Sequence, residues 1–239
     1  MEAFAANRIK KLLSTFYRLL LSLAVTIIFF SCKKSEKWIE VDPAFSQYID
    51  AYTTGIVSKT TNVRIQLAGT ANTMHTVGEE VKENLFSFSP SVNGKATWVD
   101  ASTIEFKPTE FLKPDQLYEV SFSLGKVTKT IPKFRELKFN LKTVKPAFSV
   151  SDYGLRSTGT KNKMMLTGNL ETADIEQGKS VEELLVATQN NKSLAIKWQH
   201  NDAAKMHTYS IDNIERLGNS SKVTIAWNGK SMNMDQTGK

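Results

Sequence analysis

The stretch Leu117-Tyr118-Glu119-Val120-Ser121-Phe122-Ser123-Leu124 places Tyr118, Val120, Phe122 and Leu124 on one side of an extended chain and Glu119, Ser121 and Ser123 on the other. A period of two, not 3.6, is the mark of a strand with one buried and one wet face. Outward from this stretch the pattern recurs. Val63, Ile65 and Leu67 alternate with Asn62, Arg64 and Gln66, Ile104 and Phe106 with Glu105 and Lys107, and Leu137, Phe139 and Leu141 continue the series. Turn signals at Ser89-Pro90, Asn93-Gly94, Lys107-Pro108 and Lys113-Pro114 separate these runs. Short alternating strands at this spacing predict an all-β chain built as an antiparallel β-sandwich.

A shift of about 100 residues, a typical domain length, lays the chain on itself. Asn62 meets Asn162, Leu67 and Gly69 come within one position of Leu166 and Gly168, and Trp98 meets Trp198. The segment Gly78-Glu79-Glu80-Val81-Lys82-Glu83-Asn84-Leu85 falls on Gly178-Lys179-Ser180-Val181-Glu182-Glu183-Leu184-Leu185, and both are expected to form a short helical turn. With a few added residues, Thr103-Ile104-Glu105-Phe106 answers Thr208-Tyr209-Ser210-Ile211, and the run from Val120 to Lys126 answers Val223 to Lys230. Two tandem sandwiches are expected, residues 38–145 and 146–239, joined near Lys145-Pro146. After Gly125-Lys126 the first unit still contains the strand from Leu137 to Val144, whereas mostly polar residues follow Gly229-Lys230. The second sandwich is therefore expected to lack its last strand, and the chain to be the beginning of a longer protein.

The N-terminus has a different character. Arg8, Lys10, Lys11 and Arg18 precede an apolar run from Leu19 to Phe30, and Ser31 stands before Cys32. A basic segment, a short apolar core and a small residue make the layout of a secretory signal peptide, and the run is shorter than the roughly 20 residues of a membrane-spanning helix. Phe29-Phe30-Ser31-Cys32 resembles the lipobox of bacterial lipoproteins, with Phe29 and Phe30 in place of the usual leucine and small residue. Residues 1–31 are thus expected to be a lipoprotein signal peptide, Cys32 the lipidated residue, and residues 32–37 a polar tether. Acyl chains would hold the protein on a membrane at about 0.8 kcal/mol per buried methylene. Lys33 stands where many inner-membrane lipoproteins have aspartate, which favours the outer membrane.

Residues 1–31 hold four basic and one acidic residue of the chain's 31 and 24, which leaves 27 against 23, a mild +4. The basic residues are scattered and interleaved with acidic ones, so a nucleic-acid footprint is not expected. With Cys32 the sole cysteine, a lipidated chain has no disulfide, cysteine nucleophile or cysteine-ligated zinc, and its cores must hold by burial alone. Among the three histidines, His75 with Glu79 suggests a solvated turn and His207 a strand residue; none is read as a metal ligand. Asp50, Asp100 and Asp115 are present without a His-Asp-Ser motif, a phosphate loop or a metal spacing. The chain is not expected to be an enzyme or to need a cofactor.

Three segments resemble the start of bacterial α2-macroglobulin-like lipoproteins: Pro43 to Ser58, Asn62 to Leu67, and Leu85-Phe86-Ser87-Phe88-Ser89-Pro90 with Gly94, Trp98, Ile104-Glu105-Phe106-Lys107-Pro108 and Leu117-Tyr118-Glu119-Val120. The Phe-Ser-Pro, Trp, Phe-x-Pro, Leu-Tyr order is also similar to bacterial immunoglobulin-like domains. The resemblance implies macroglobulin-type, Ig-like sandwiches behind a lipid anchor, with proteases as targets of the full-length family and further domains of the same protein as partners. A family thioester needs a Cys-x-x-Gln motif that Cys32 does not provide. The expected role is the membrane-anchored N-terminal module of a protease-trapping lipoprotein, an anchor and spacer in the cell envelope with its domains in the periplasm or at the surface. The alternative is a lipid-anchored carbohydrate- or ligand-binding surface protein. That reading needs exposed aromatics, whereas Trp98, Phe106, Tyr118, Trp198 and Trp227 lie in expected strands, where a core would claim them.

Overall fold

In the computed structural model, residues 36–218 and 220–239 are described, and Trp38–Lys239 forms one compact unit. Residues 1–35, with Cys32 and the expected signal peptide, lie outside the described residues. The described chain is predominantly strand. Eight strands precede Pro146: β1 (Ile49–Tyr52), β2 (Gly55–Val57), β3 (Val63–Leu67), β4 (Phe86–Ser89), β5 (Gly94–Trp98), β6 (Thr103–Pro108), β7 (Leu117–Phe122) and β8 (Leu137–Thr143). Eight follow it: β9 (Phe148–Ser157), β10 (Lys163–Thr172), β11 (Leu185–Gln189), β12 (Lys192–Leu194), β13 (Lys197–Asn201), β14 (Met206–Glu215), β15 (Val223–Asn228) and β16 (Thr237–Gly238), with a short helix, α1 (Gly178–Glu182), between β10 and β11.

They form four four-stranded sheets: β1-β3-β6-β5 and β2-β8-β7-β4 from the strands before Pro146, called the first unit below, and β9-β10-β14-β13 and β12-β11-β15-β16 from those after it, called the second. The alternation seen in the sequence is the burial pattern of the strands. Val63, Ile65 and Leu67 of β3 are buried while Arg64 and Gln66 are exposed, and Tyr118, Val120 and Phe122 of β7 face the same core. That core, running from Ile49 to Leu141, takes side chains from both first-unit sheets; a second core from Phe148 to Met234 does the same for the other pair. Strand pairing is antiparallel except between β2 and β8, which run parallel with Gly55 opposite Leu141. The chain therefore crosses from one sheet to the other between β1 and β2, where Gly55 takes a φ of +82°, a conformation that a residue without Cβ adopts without strain.

Backbone register follows the expected correspondence at some positions and departs from it at others. Trp98 pairs with Ile104 and Trp198 with Tyr209, as the repeat requires. The residue facing Ile104 across β3 is Ile65, and the one facing Tyr209 across β10 is Gly168. Tyr209 is fully buried and donates from its hydroxyl to the Ser151 carbonyl at 3.0 Å. A Cβ on Gly168 would overlap that ring and the Ser151 carbonyl, so an Ile–Ile pair in one unit is replaced by a Gly–Tyr pair in the other. The later match shifts: Ser123 N–H donates to Leu85 C=O and Asn228 N–H to Leu184 C=O, so Val120 corresponds to Ile225, not to Val223. The Gly78–Leu85 segment is not helical like α1, because its backbone is spent on the β5 edge. Val81 N–H donates to Ala96 C=O at 2.8 Å, and Trp98 N–H to Glu79 C=O at 2.9 Å.

Register also locates the second unit's closing strand. Phe122 pairs with Leu137 at the start of seven-residue β8, and the corresponding Trp227 pairs with Gly238 of two-residue β16. On that side Val223–Ala226 of β15 have no strand partner among the described residues. A groove of about 570 Å³ runs beside them, lined by Val150, Leu166, Tyr209, Val223, Ile225 and Trp227. In the first unit Leu137, Phe139 and Leu141 fill the corresponding place and are buried. If the register continues, adding Phe-Asn-Leu-Lys-Thr, a copy of Phe139–Thr143, after Lys239 seats the new Phe and Leu in the groove. Each stabilises by up to about 1.5–3 kcal/mol, read as a raised denaturant midpoint; the register-shifted addition Asn-Phe-Lys-Leu-Thr, which points both apolar residues outward, should leave the midpoint where it was. Equal midpoints for the two additions would show the groove is no strand site.

Candidate functional site

Two groups of polar side chains stand apart from the solvated strand faces. The first joins the two units. Lys59 lies in the turn after β2 and accepts at its carbonyl from Leu112 N–H at 2.9 Å, which fixes it to the first unit. Its own N–H donates to Asp174 Oδ2 at 2.7 Å, and its Nζ lies 2.7 Å from Glu176 Oε2. Asp174 and Glu176 belong to the loop between β10 and α1, where Asp174 Oδ1 also accepts from Ile175 N–H and the Asp174 carbonyl accepts from the Thr172 hydroxyl. Asp174 is buried, and the Lys59 and Glu176 side chains are only 15% and 11% exposed. An ion pair so far from water is screened weakly, and its loss on one side leaves a charge without compensation.

The second group sits where β13 turns into β14. The turn over Asp202–Lys205 closes with Lys205 N–H on Asp202 C=O and Ala204 N–H on Asn201 Oδ1, and the ladder sets His200 directly opposite His207. Their Nδ1 atoms are 2.9 Å apart, and Asp202 Oδ1 lies 3.8 Å from His207 Nδ1. From α1, Glu182 Oε1 reaches His200 Nε2 at 3.1 Å. The helix start approaches this closely because residue 178 is glycine; a Cβ there would stand 2.6 Å from His200 Cδ2 and Cγ. Trp198 lies nearly parallel to the His200 ring. His207 is fully buried, and its Nε2 has no hydrogen-bond partner. Burial, which disfavours the charged ring, and then the neighbouring His200 hold its pKa below the usual imidazole value, with Asp202 opposing.

The residues singled out in the sequence are distributed as follows. Cys32 lies outside the described residues. Trp98, Phe106 and Tyr118 are buried in the first core, and Trp98 offers no free ring face. Trp198 and Trp227 are half-buried and pack against the second core. His75 is no solvated turn residue: its ring stacks on Trp98 at 4.1 Å and 8°, with Glu79 Oε2 3.7 Å from its Nδ1, so it roofs the first core. Asp50, Asp100 and Asp115 do not meet. Asp100 caps its own turn, accepting from Ser102 and Thr103 N–H groups that hold its carboxyl below the usual range. Sequence reasoning missed the His200–Asp202–His207 group and the Lys59 contact. The first had a signal, since an Asn-Asp-Ala-Ala-Lys turn folds position 200 onto 207; the second had none, because 115 residues separate Lys59 from Asp174.

With the geometry in place, comparison with known proteins adds little. No model of a known protein family matches the chain. No curated protein matches it. Among solved structures it is similar to two of L,D-transpeptidase 3 from Mycobacterium tuberculosis, one in complex with a faropenem-derived adduct. That complex is 12% identical, with a TM-score of 0.29, over 51% of this chain and 46% of that one. The other is 12% identical, with a TM-score of 0.28, over 51% and 44%. The chain spans less than half the length of these proteins, and at such TM-scores the likeness carries no statement about fold or chemistry.

Replacing Gly178 by Ala forces the added methyl into the His200 ring, which has solvent on one side and gives way. The expected outcome is a displaced His200 imidazole resonance in NMR with a stability loss of about 1–3 kcal/mol, the range for overpacking. An unmoved resonance would mean that α1 shifts instead.

Proposed function

We propose that the chain is the anchor and spacer module at the N-terminus of an α2-macroglobulin-like protease-trapping lipoprotein, built of two macroglobulin-type, Ig-like β-sandwiches behind an acylated Cys32. The observation that carries the spacer reading is the Lys59–Asp174–Glu176 contact. A spacer transmits position only if its domains do not pivot freely, and the usual small, polar interdomain contact leaves relative motion as the default. Here a backbone N–H and a side-chain ammonium of one residue are both held by carboxylates of the other unit, largely out of water. A second contact supports the anchor end. Buried Asn140 in β8 accepts at Oδ1 from Ile39 N–H and donates from Nδ2 to Tyr118 C=O. The segment that follows the tether is thereby tied to the first core, so a pull at residue 32 would be felt by β8 and not by a loose leader. Trp98 is buried in the first core, so the carbohydrate reading would have to rest on the exposed Trp38, Phe111 and Tyr153 instead.

Two measurements test this. In a bacterial host, Cys32→Ser is expected to move the protein from the membrane fraction to the soluble envelope fraction; retention in the membrane at the unmodified level would remove the anchor role. At the junction, Glu176→Gln leaves Lys59 without its counter-charge and is expected to cost about 3–5 kcal/mol, while Lys59→Met combined with Glu176→Leu recovers most of the loss. Interdomain distances from spin labels on β5 and β13 should broaden in Glu176→Gln alone. An unchanged distribution would make the junction incidental to the spacer.

A further inference from the structure

We propose that His200, Asp202 and His207 form a binding site for a divalent transition-metal ion of the zinc class, with Glu182 as a positioning residue behind His200. Their ligand atoms all lie within 4.8 Å of one another. The separations of 2.9 Å between the two Nδ1 atoms and 3.8 Å from His207 Nδ1 to Asp202 Oδ1 straddle the roughly 3.3 Å edge of a tetrahedron with metal bonds of about 2.0–2.1 Å. Two imidazoles and one carboxylate suit zinc and its neighbours better than the oxygen-preferring calcium or magnesium, and three protein ligands leave a fourth position for water.

The surroundings match what a metal-binding imidazole requires. Glu182 Oε1 accepts from His200 Nε2–H, which keeps the proton on the far nitrogen and the Nδ1 lone pair directed at His207; a carboxylate on the outer nitrogen is the usual support of a ligating histidine. Without a metal, His207 must supply the single proton shared between the two Nδ1 atoms, since two bare lone pairs at 2.9 Å repel. Metal binding replaces that proton. It moves to His207 Nε2, which has no hydrogen-bond partner to lose; the Nδ1–H···Nδ1 hydrogen bond is given up for the two metal bonds, and the ring stays neutral. The scaffold is rigid for a surface site. The two histidines face each other across a paired ladder, Gly178 lets α1 close over His200, and only Asp202 stands on the turn.

The test is titration of the full, chelator-stripped chain with Zn²⁺ followed by calorimetry, and with Co²⁺ followed by visible absorption. The expected result is one ion per chain, a raised unfolding midpoint, and the d–d bands of a four- or five-coordinate site. Asp202→Asn and His200→Gln lie at exposed positions and should fold; each is expected to weaken binding at least about tenfold, as is Glu182→Gln, the last also shifting the Co²⁺ bands. His207→Gln should abolish binding, and the two exposed variants keep the test decisive if it does not fold. Absence of stoichiometric binding would overturn the site. So would affinities unchanged in Asp202→Asn and His200→Gln, which would place the ion elsewhere, at His75 or on scattered carboxylates.

Discussion

Alternating strands such as β3 and β7 keep one wet face, and no such strand is stable until the other face is covered. That constraint generates the architecture. An alternating strand such as β3 or β7 commits its odd or even positions to a core, and with the sole cysteine outside the described residues no disulfide substitutes for burial there. Four sheets therefore pair off into two cores, each closed by aromatics and branched aliphatics. The same constraint explains why β1 and β2 divide between sheets. A short crossing at Thr53-Thr54 lets one segment cover the edges of both, and Gly55 supplies the backbone angle.

Within that plan the two units solve the same packing problem with different residues. Where the first sets Ile65 against Ile104, the second sets Gly168 against Tyr209, turning an aliphatic pair into a ring over bare backbone. The tyrosine hydroxyl then needs an acceptor in a place where isoleucine needed none, and Ser151 C=O supplies it. The roof over the tryptophan pair differs as well. His75 stacks on Trp98, and His200 lies alongside Trp198. In the second unit that neighbouring imidazole has drawn in Glu182, Asp202 and His207, so a packing position has acquired the makings of a site.

The strands were legible because a period of two survives in the sequence wherever one face is wet: β3, β6, β7 and β8 lie where the alternation of Val63, Ile104, Tyr118 and Leu137 set them. The segment at Gly78 was misleading because composition alone does not say whether a backbone N–H will be used within a helix or on a neighbouring strand edge. Near the closing strand the register was misaligned by two residues, since alternation repeats every two positions and a shift of two leaves the pattern intact. Only the backbone bonds of Ser123 and Asn228 distinguish the choices. The histidine group was half legible, as a turn flanked by two histidines, but Glu182 reaches it from a helix outside that hairpin.

By itself the sequence determined that the chain is all-β, which positions face inward, and where turns interrupt the strands, because these are local consequences of side-chain alternation and of proline, glycine and asparagine. The tertiary structure decided which strands share a sheet, that Lys59 is clamped by carboxylates more than 100 residues away, and that His200, Asp202 and His207 converge in front of Glu182. Those contacts depend on how the sheets and connecting loops are brought together in space, and alternation along a strand carries no information about what stands across from it.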